Sequence, residues 1–130
     1  MITEPTVLVL GAGASYPYGY PLGAKLYYQV VSSLCPFGIN NMRQFLDPIY
    51  GSAQVHEFGE ALRRSGIEAV DAFLEHNEQF LDIGRSAIAY AIARREDENT
   101  LFPDAPNEKH WYRFLFNCLG LTCTPQSGPF

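Results

Sequence analysis

A single stretch of this sequence has the character of a strand, and it runs straight into glycines. Residues 6–10, Thr-Val-Leu-Val-Leu, form a short, nearly continuous apolar run bounded by Pro5 and Gly11. That is the pattern of a parallel strand buried on both faces. One strand makes no sheet, and a parallel partner must arrive through a crossover of its own, so the rest of the chain is constrained by what it offers this run. It offers helices. Leu22, Leu26, Val30 and Leu34 recur every four residues, predicting a helix that opens near Pro21, a residue suited to a first turn. The order is strand, glycine loop, helix.

Beyond Pro36 the periodicity is helical almost throughout. Met42, Phe45, Leu46 and Ile49 fall on one face, and Val55, Phe58 and Leu62 on the next, with Gly51 and Gly66 as punctuation. Ser65 followed by Glu68 has the form of a capping box, predicting a short helix whose Ile67, Val70, Phe73 and Leu74 face the core. Phe80, Gly84, Ala87, Ile88, Ala91 and Ile92 mark the longest helix. Its small residues predict close packing, and Arg94 and Arg95 suit its negative end. Asn107 is expected to cap a last helix carrying Trp111, Phe114, Leu115 and Cys118, and the tail 120–130 reads as loop. No internal repeat or low-complexity segment interrupts this order.

At 130 residues the chain has the length of one domain. A hydrophobic fraction of 47% and a charged fraction of 18% are those of a globular protein. The net charge is −5, and the nine Lys and Arg are scattered. There is no basic stripe to neutralise phosphates along a nucleic acid, so DNA and RNA are not expected partners. The apolar run near the start is too short for a secretory or membrane-spanning segment and has no positive charge before it, so a cytoplasmic protein without membrane contact is expected. Cys35, Cys118 and Cys123 lack C-x-x-C spacing and read as buried structural thiols. His56, His76 and His110 are too far apart in sequence to announce a metal site, and none is assigned.

The loop Gly11-Ala12-Gly13-Ala14-Ser15 carries the chemistry. Glycine permits backbone conformations and close approaches that a side chain blocks. A strand-to-helix loop also points free N–H groups at an anion, helped by the positive end of the helix dipole and here by the Ser15 hydroxyl. Two nucleotide templates fail. The dinucleotide fingerprint G-x-G-x-x-G needs Gly or Ala where Tyr16 stands, and residues 30–35 lack its acidic ribose partner. The P-loop needs an adjacent Gly-Lys-Ser/Thr that residues 19–26 do not supply.

Gly11, Ala12, Gly13 and Ser15, followed by Gly19 and Pro21, resemble the amino-terminal signature of sirtuins, in which a strand leads into Gly-Ala-Gly-x-Ser and a Gly-x-Pro follows. The resemblance implies an α/β fold. It would be an incomplete, doubly wound, Rossmann-like domain with one clear N-terminal strand followed by a mostly helical segment. It also implies NAD, or an ADP-ribose-type nucleotide, at Gly11, Ala12, Gly13, Ala14, Ser15, Gly19 and Pro21. Deacetylases of the family continue with Asp-Phe-Arg, where this chain has Leu22-Gly23-Ala24-Lys25. It is therefore more similar to divergent bacterial sirtuin-like proteins, many of them NAD hydrolases of phage-defence systems. Val70-Asp71-Ala72-Phe73-Leu74, the segment 83–89 and Trp111-Tyr112 extend the resemblance loosely along the chain.

The family's later Asn-Tyr-Asp strand and its catalytic histidine have no counterpart here. Residues 1–130 are thus expected to be the front part of one sirtuin-like domain: strand and loop over 6–21, helical segment over 22–119, and a loop tail over 120–130. A homo-oligomer or a partner chain is expected to complete the sheet. No catalytic residue is assigned. His110 reads as a capping or surface residue, His76 as part of a solvated turn, and Asp71 either projects into a pocket or faces solvent. If completed by further strands, NAD hydrolysis is the expected activity ahead of protein deacylation. The alternatives are a non-catalytic nucleotide-sensing or subunit-interaction module, and an inactive remnant.

Overall fold

The structure is a computed structural model and describes residues 4–35, 42–101 and 111–118. Among the described residues the α-helices are α1 (Gly23–Leu34), α2 (Met42–Tyr50), α3 (Ser52–Arg64), α4 (Val70–Glu75), α5 (Leu81–Ala93), α6 (Glu98–Leu101) and α7 (Trp111–Cys118). A 3₁₀ helix, Ala12–Tyr18, precedes α1, and a 3₁₀ turn, Glu78–Phe80, leads into α5. No strand occurs among the described residues.

That corrects the expected α/β, doubly wound class. Residues 6–10 run without helix or ladder, and their side chains stand in solvent: Val7 is 89% exposed and Val9 92%. The physical reason lies in the element itself, since a strand exists through the ladder it makes with a neighbour. The described residues offer it no second extended segment, and the apolar run stays single.

The core is helical. Within the set α1, α2, α3 and α5, every helix packs against the other three, and α4 with the 3₁₀ turn closes against α5. Val30, Leu46, Val55, Phe58, Leu62 and Ala87 are fully buried at the centre. Phe58, Phe73 and Phe80 form an aromatic cluster with ring centroids 5.8–6.3 Å apart, offset or tilted as aromatic quadrupoles prefer. Helical spacing placed most of these residues, but α2 differs: Met42 and Leu46 are buried, while Phe45 and Ile49 are 44% and 58% exposed. Phe45 stacks instead on Tyr90 of α5, with centroids 5.1 Å apart. Tyr50 ties the same two helices, donating to the Asp82 carbonyl at 3.2 Å and lying 2.8 Å from the Ser86 hydroxyl.

The helix ends follow from local chemistry. Gly51, at φ 85°, and Gly66, at φ 68°, occupy the left-handed region that L side chains avoid, and each separates consecutive helices. α1 begins at Gly23 with Leu22 as its cap, two residues later than expected. Ser65 does not cap α4. Its hydroxyl donates to the Leu62 carbonyl at 2.8 Å and accepts the Ile67 N–H at 3.1 Å, while α4 starts after Ala69. Glu68, free of the capping role, accepts the Tyr28 hydroxyl at 2.8 Å, and that bond to a carboxylate raises the Tyr28 phenol above its ordinary pKa. Close packing at Gly84 holds: a Cβ there would overlap the Leu74 side chain, within 3.0 Å of its Cγ.

Cys35 is exposed and Cys118 only partly buried, which corrects the reading of both as buried thiols. Cys123, Asn107 and the tail lie outside the described residues. Among the described residues no helix is long and apolar enough to cross a membrane.

Candidate functional site

Residues 11–21 carry the expected nucleotide-binding positions, and their path is set by three turns of hydrogen bonding. Gly11 is extended, at φ −84° and ψ 172°, and its carbonyl accepts the Ala14 N–H at 2.9 Å, which turns the chain into the 3₁₀ helix. The helix closes at Gly19, whose φ of 82° places it in the left-handed region while its N–H reaches the Tyr16 carbonyl at 3.0 Å. The Tyr20 N–H then reaches the Ser15 carbonyl at 3.4 Å. Gly19 is thus glycine because the turn demands it.

Gly11 and Gly13 have no such explanation. Neither has a positive φ, and among the described residues a Cβ at either would meet nothing within 4 Å. The fold tolerates side chains there, yet the sequence withholds them.

The segment is anchored from the far end of the chain. The Trp111 indole Nε1 donates to the Ala14 carbonyl at 2.7 Å, and the Tyr112 N–H donates to the Tyr18 hydroxyl at 3.0 Å. Tyr18 is the buried residue of the segment and meets Trp111 edge-on, with centroids 6.4 Å apart. α7 therefore holds the loop by its middle, leaving Gly11, Ala12, Gly13, Ser15 and Gly19 exposed and Ala14 and Pro21 half-buried. The Ser15 hydroxyl makes no hydrogen bond among the described residues, so its proton is available to a ligand.

What this arrangement offers chemically is binding. Residues 11–24 contain no charged side chain and no histidine. The donors are backbone N–H groups at the start of a short helical turn and one hydroxyl, which suit an anion, and no group there can shuttle a proton near neutral pH.

The other candidates lie apart from any shared site. Asp71 is exposed in the first turn of α4, so it faces solvent. His76 is exposed at the end of α4, its Nδ1 3.0 Å from the Ala72 carbonyl, as a solvated turn residue would be. His110 lies outside the described residues. Among the described residues no group of three or more His, Cys, Asp or Glu is placed to hold a metal. Sequence reading missed the Trp111–Ala14 bond and the buried anchor Tyr18. Ninety-seven residues separate the first pair, and no local periodicity reports a contact of that range. Compared with protein families, with curated proteins and with solved structures, the chain matches none.

Proposed function

We propose that residues 11–21 form a cradle for the phosphates and adjoining ribose of NAD or an ADP-ribose-type nucleotide, in a sirtuin-like chain of the kind that hydrolyses NAD or removes acyl groups. One observation supports this above the rest: Gly11 and Gly13, with Gly23 at the start of α1, are glycines that neither a positive φ nor packing among the described residues requires. A ligand that must approach the backbone closely does require them. The anchoring through Trp111 and Tyr18 adds preorganisation, since a loop already held in place loses less freedom on binding. Because the segment has no acid or base, the reading covers binding, with turnover left to residues outside it. A cytoplasmic setting, where NAD is abundant, belongs to the same reading.

The test is calorimetric titration of the purified chain with NAD and with ADP-ribose, beside Gly13→Val. The expected result is saturable binding by the parent and at least a tenfold loss in the variant, with unchanged helical circular dichroism. A folded parent that binds neither nucleotide overturns the reading.

A second reading, contact with another chain, rests on residues 7–10. Val7, Leu8, Val9 and Leu10 are 89%, 48%, 92% and 57% exposed, a contiguous apolar patch of the kind that marks an interaction surface. The partner is a second copy or another subunit. Sedimentation should then show concentration-dependent association that Val9→Lys abolishes, and a chain that stays monomeric at every concentration contradicts this reading.

A further inference from the structure

We propose a second ligand site, independent of the glycine segment: a cleft where the C-terminal ends of α1 and α5 meet the start of α2 binds the phosphoryl group of a small phosphate ester. The cleft has a volume of ≈ 190 Å³ and is lined by Ser32, Ser33, Met42, Tyr90, Arg94 and Arg95, among others. Ligand pockets for drug-sized molecules run to about 300–1,000 Å³. This one is below that range, so its occupant is a phosphate bearing a few carbons rather than a whole dinucleotide.

Charge decides what enters. The ion pairs among the described residues join Arg43 to Asp47 and Arg63 and Arg64 to Glu60, so neither Arg94 nor Arg95 is neutralised by a carboxylate there. In a chain of net charge −5, two adjacent unpaired guanidinium groups stand out. They also serve the negative ends of α1 and α5, but each helix end carries only about half a charge. Two helix ends thus offset roughly one of the two cations. The balance in the cleft is positive.

Geometry supplies the rest. Arg94 is braced, its Nη1 donating to the Tyr90 hydroxyl at 3.2 Å and its guanidinium 5.6 Å from the centre of the Tyr90 ring, which in turn stacks on Phe45. Arg95 is exposed and makes no side-chain hydrogen bond among the described residues. Ser33 lines the same cleft, where a serine hydroxyl can donate to an anion. A planar guanidinium fork matches two phosphate oxygens at once.

The experiment is an amide-resolved NMR titration of the chain with inorganic phosphate, ribose 5-phosphate and succinate. Phosphate and its ester should produce saturable shifts at Ser32, Ser33, Met42 and Arg95, and succinate should bind at least tenfold more weakly. Arg94→Ala/Arg95→Ala should weaken the phosphate response tenfold or more. If that variant does not fold, Arg95→Gln, at an exposed position, should weaken it several-fold. Gly13→Val should leave it unchanged, which separates this site from the nucleotide cradle. Shifts confined to Gly11–Ser15, equal binding of succinate, or no saturable shift at the cleft residues would overturn the proposal.

Discussion

Three kinds of glycine occur among the described residues, and telling them apart is what motivates the proposed site. Gly84 is small because Leu74 occupies the space of its missing Cβ. Gly19 is achiral because its φ is 82°. Gly11 and Gly13, like Gly23, satisfy neither description, and that is the observation behind the proposed ligand site. The distinction is measurable. Gly84→Ala forces the buried Leu74 to shift in a filled core, and overpacking of that kind costs about 1–3 kcal/mol. Denaturant unfolding should show the loss with nucleotide binding retained, the reverse of Gly13→Val. An unchanged midpoint for Gly84→Ala would mean that α4 and α5 are less closely packed than described. In the sequence Gly84 reads as a close-packing position, but Gly11, Gly13 and Gly19 read alike as one nucleotide loop, because nothing in the letter G separates a conformational need from an open position.

At the scale of elements, α7 is joined to the glycine segment by the Trp111 and Tyr112 bonds. Trp111→Phe keeps the ring and removes the indole donor to Ala14. The expected effect is a stability loss of about 1 kcal/mol, the net worth of one hydrogen bond, together with faster proteolysis within residues 11–21. Unaltered proteolysis would show that the bond does not hold the loop. The helices themselves were legible wherever apolar residues recurred at three and four: Val55, Phe58 and Leu62 of α3 are all buried as that spacing predicts. The same rule failed for Phe45 and Ile49, because α2 buries a stripe narrower than its apolar content and its outer aromatic is taken up by Tyr90. It failed again for Ser65 and Glu68, where a turn at Gly66 and a tyrosine forty residues away claimed the two side chains. The strand over 6–10 failed for a different reason: composition reports what a segment would bury, and pairing depends on a neighbour that the described residues do not contain.

Taken whole, the molecule joins a well-filled helical cluster to a segment whose apolar run and glycines are exposed and whose Ala14 and Tyr18 are anchored by α7. The α1, α2, α3 and α5 cluster holds the core, and the proposed recognition lies in the segment over 6–21, with Trp111 in contact with it. The sequence singles out Gly11, Gly13 and Ser15 as candidates because they are local in it, whereas the contacts of Trp111 and Tyr112 with this segment have no local signal. This division of labour makes Trp111, the single tryptophan of the chain, a reporter of the loop it is bonded to. The central claim is that the glycine segment binds an NAD-type nucleotide, and a fluorescence titration of the parent chain with ADP-ribose tests it most directly. The account predicts a saturable change in Trp111 emission that Gly13→Val eliminates. Emission that stays constant in a chain shown by circular dichroism to be folded, with calorimetry also silent, would contradict it.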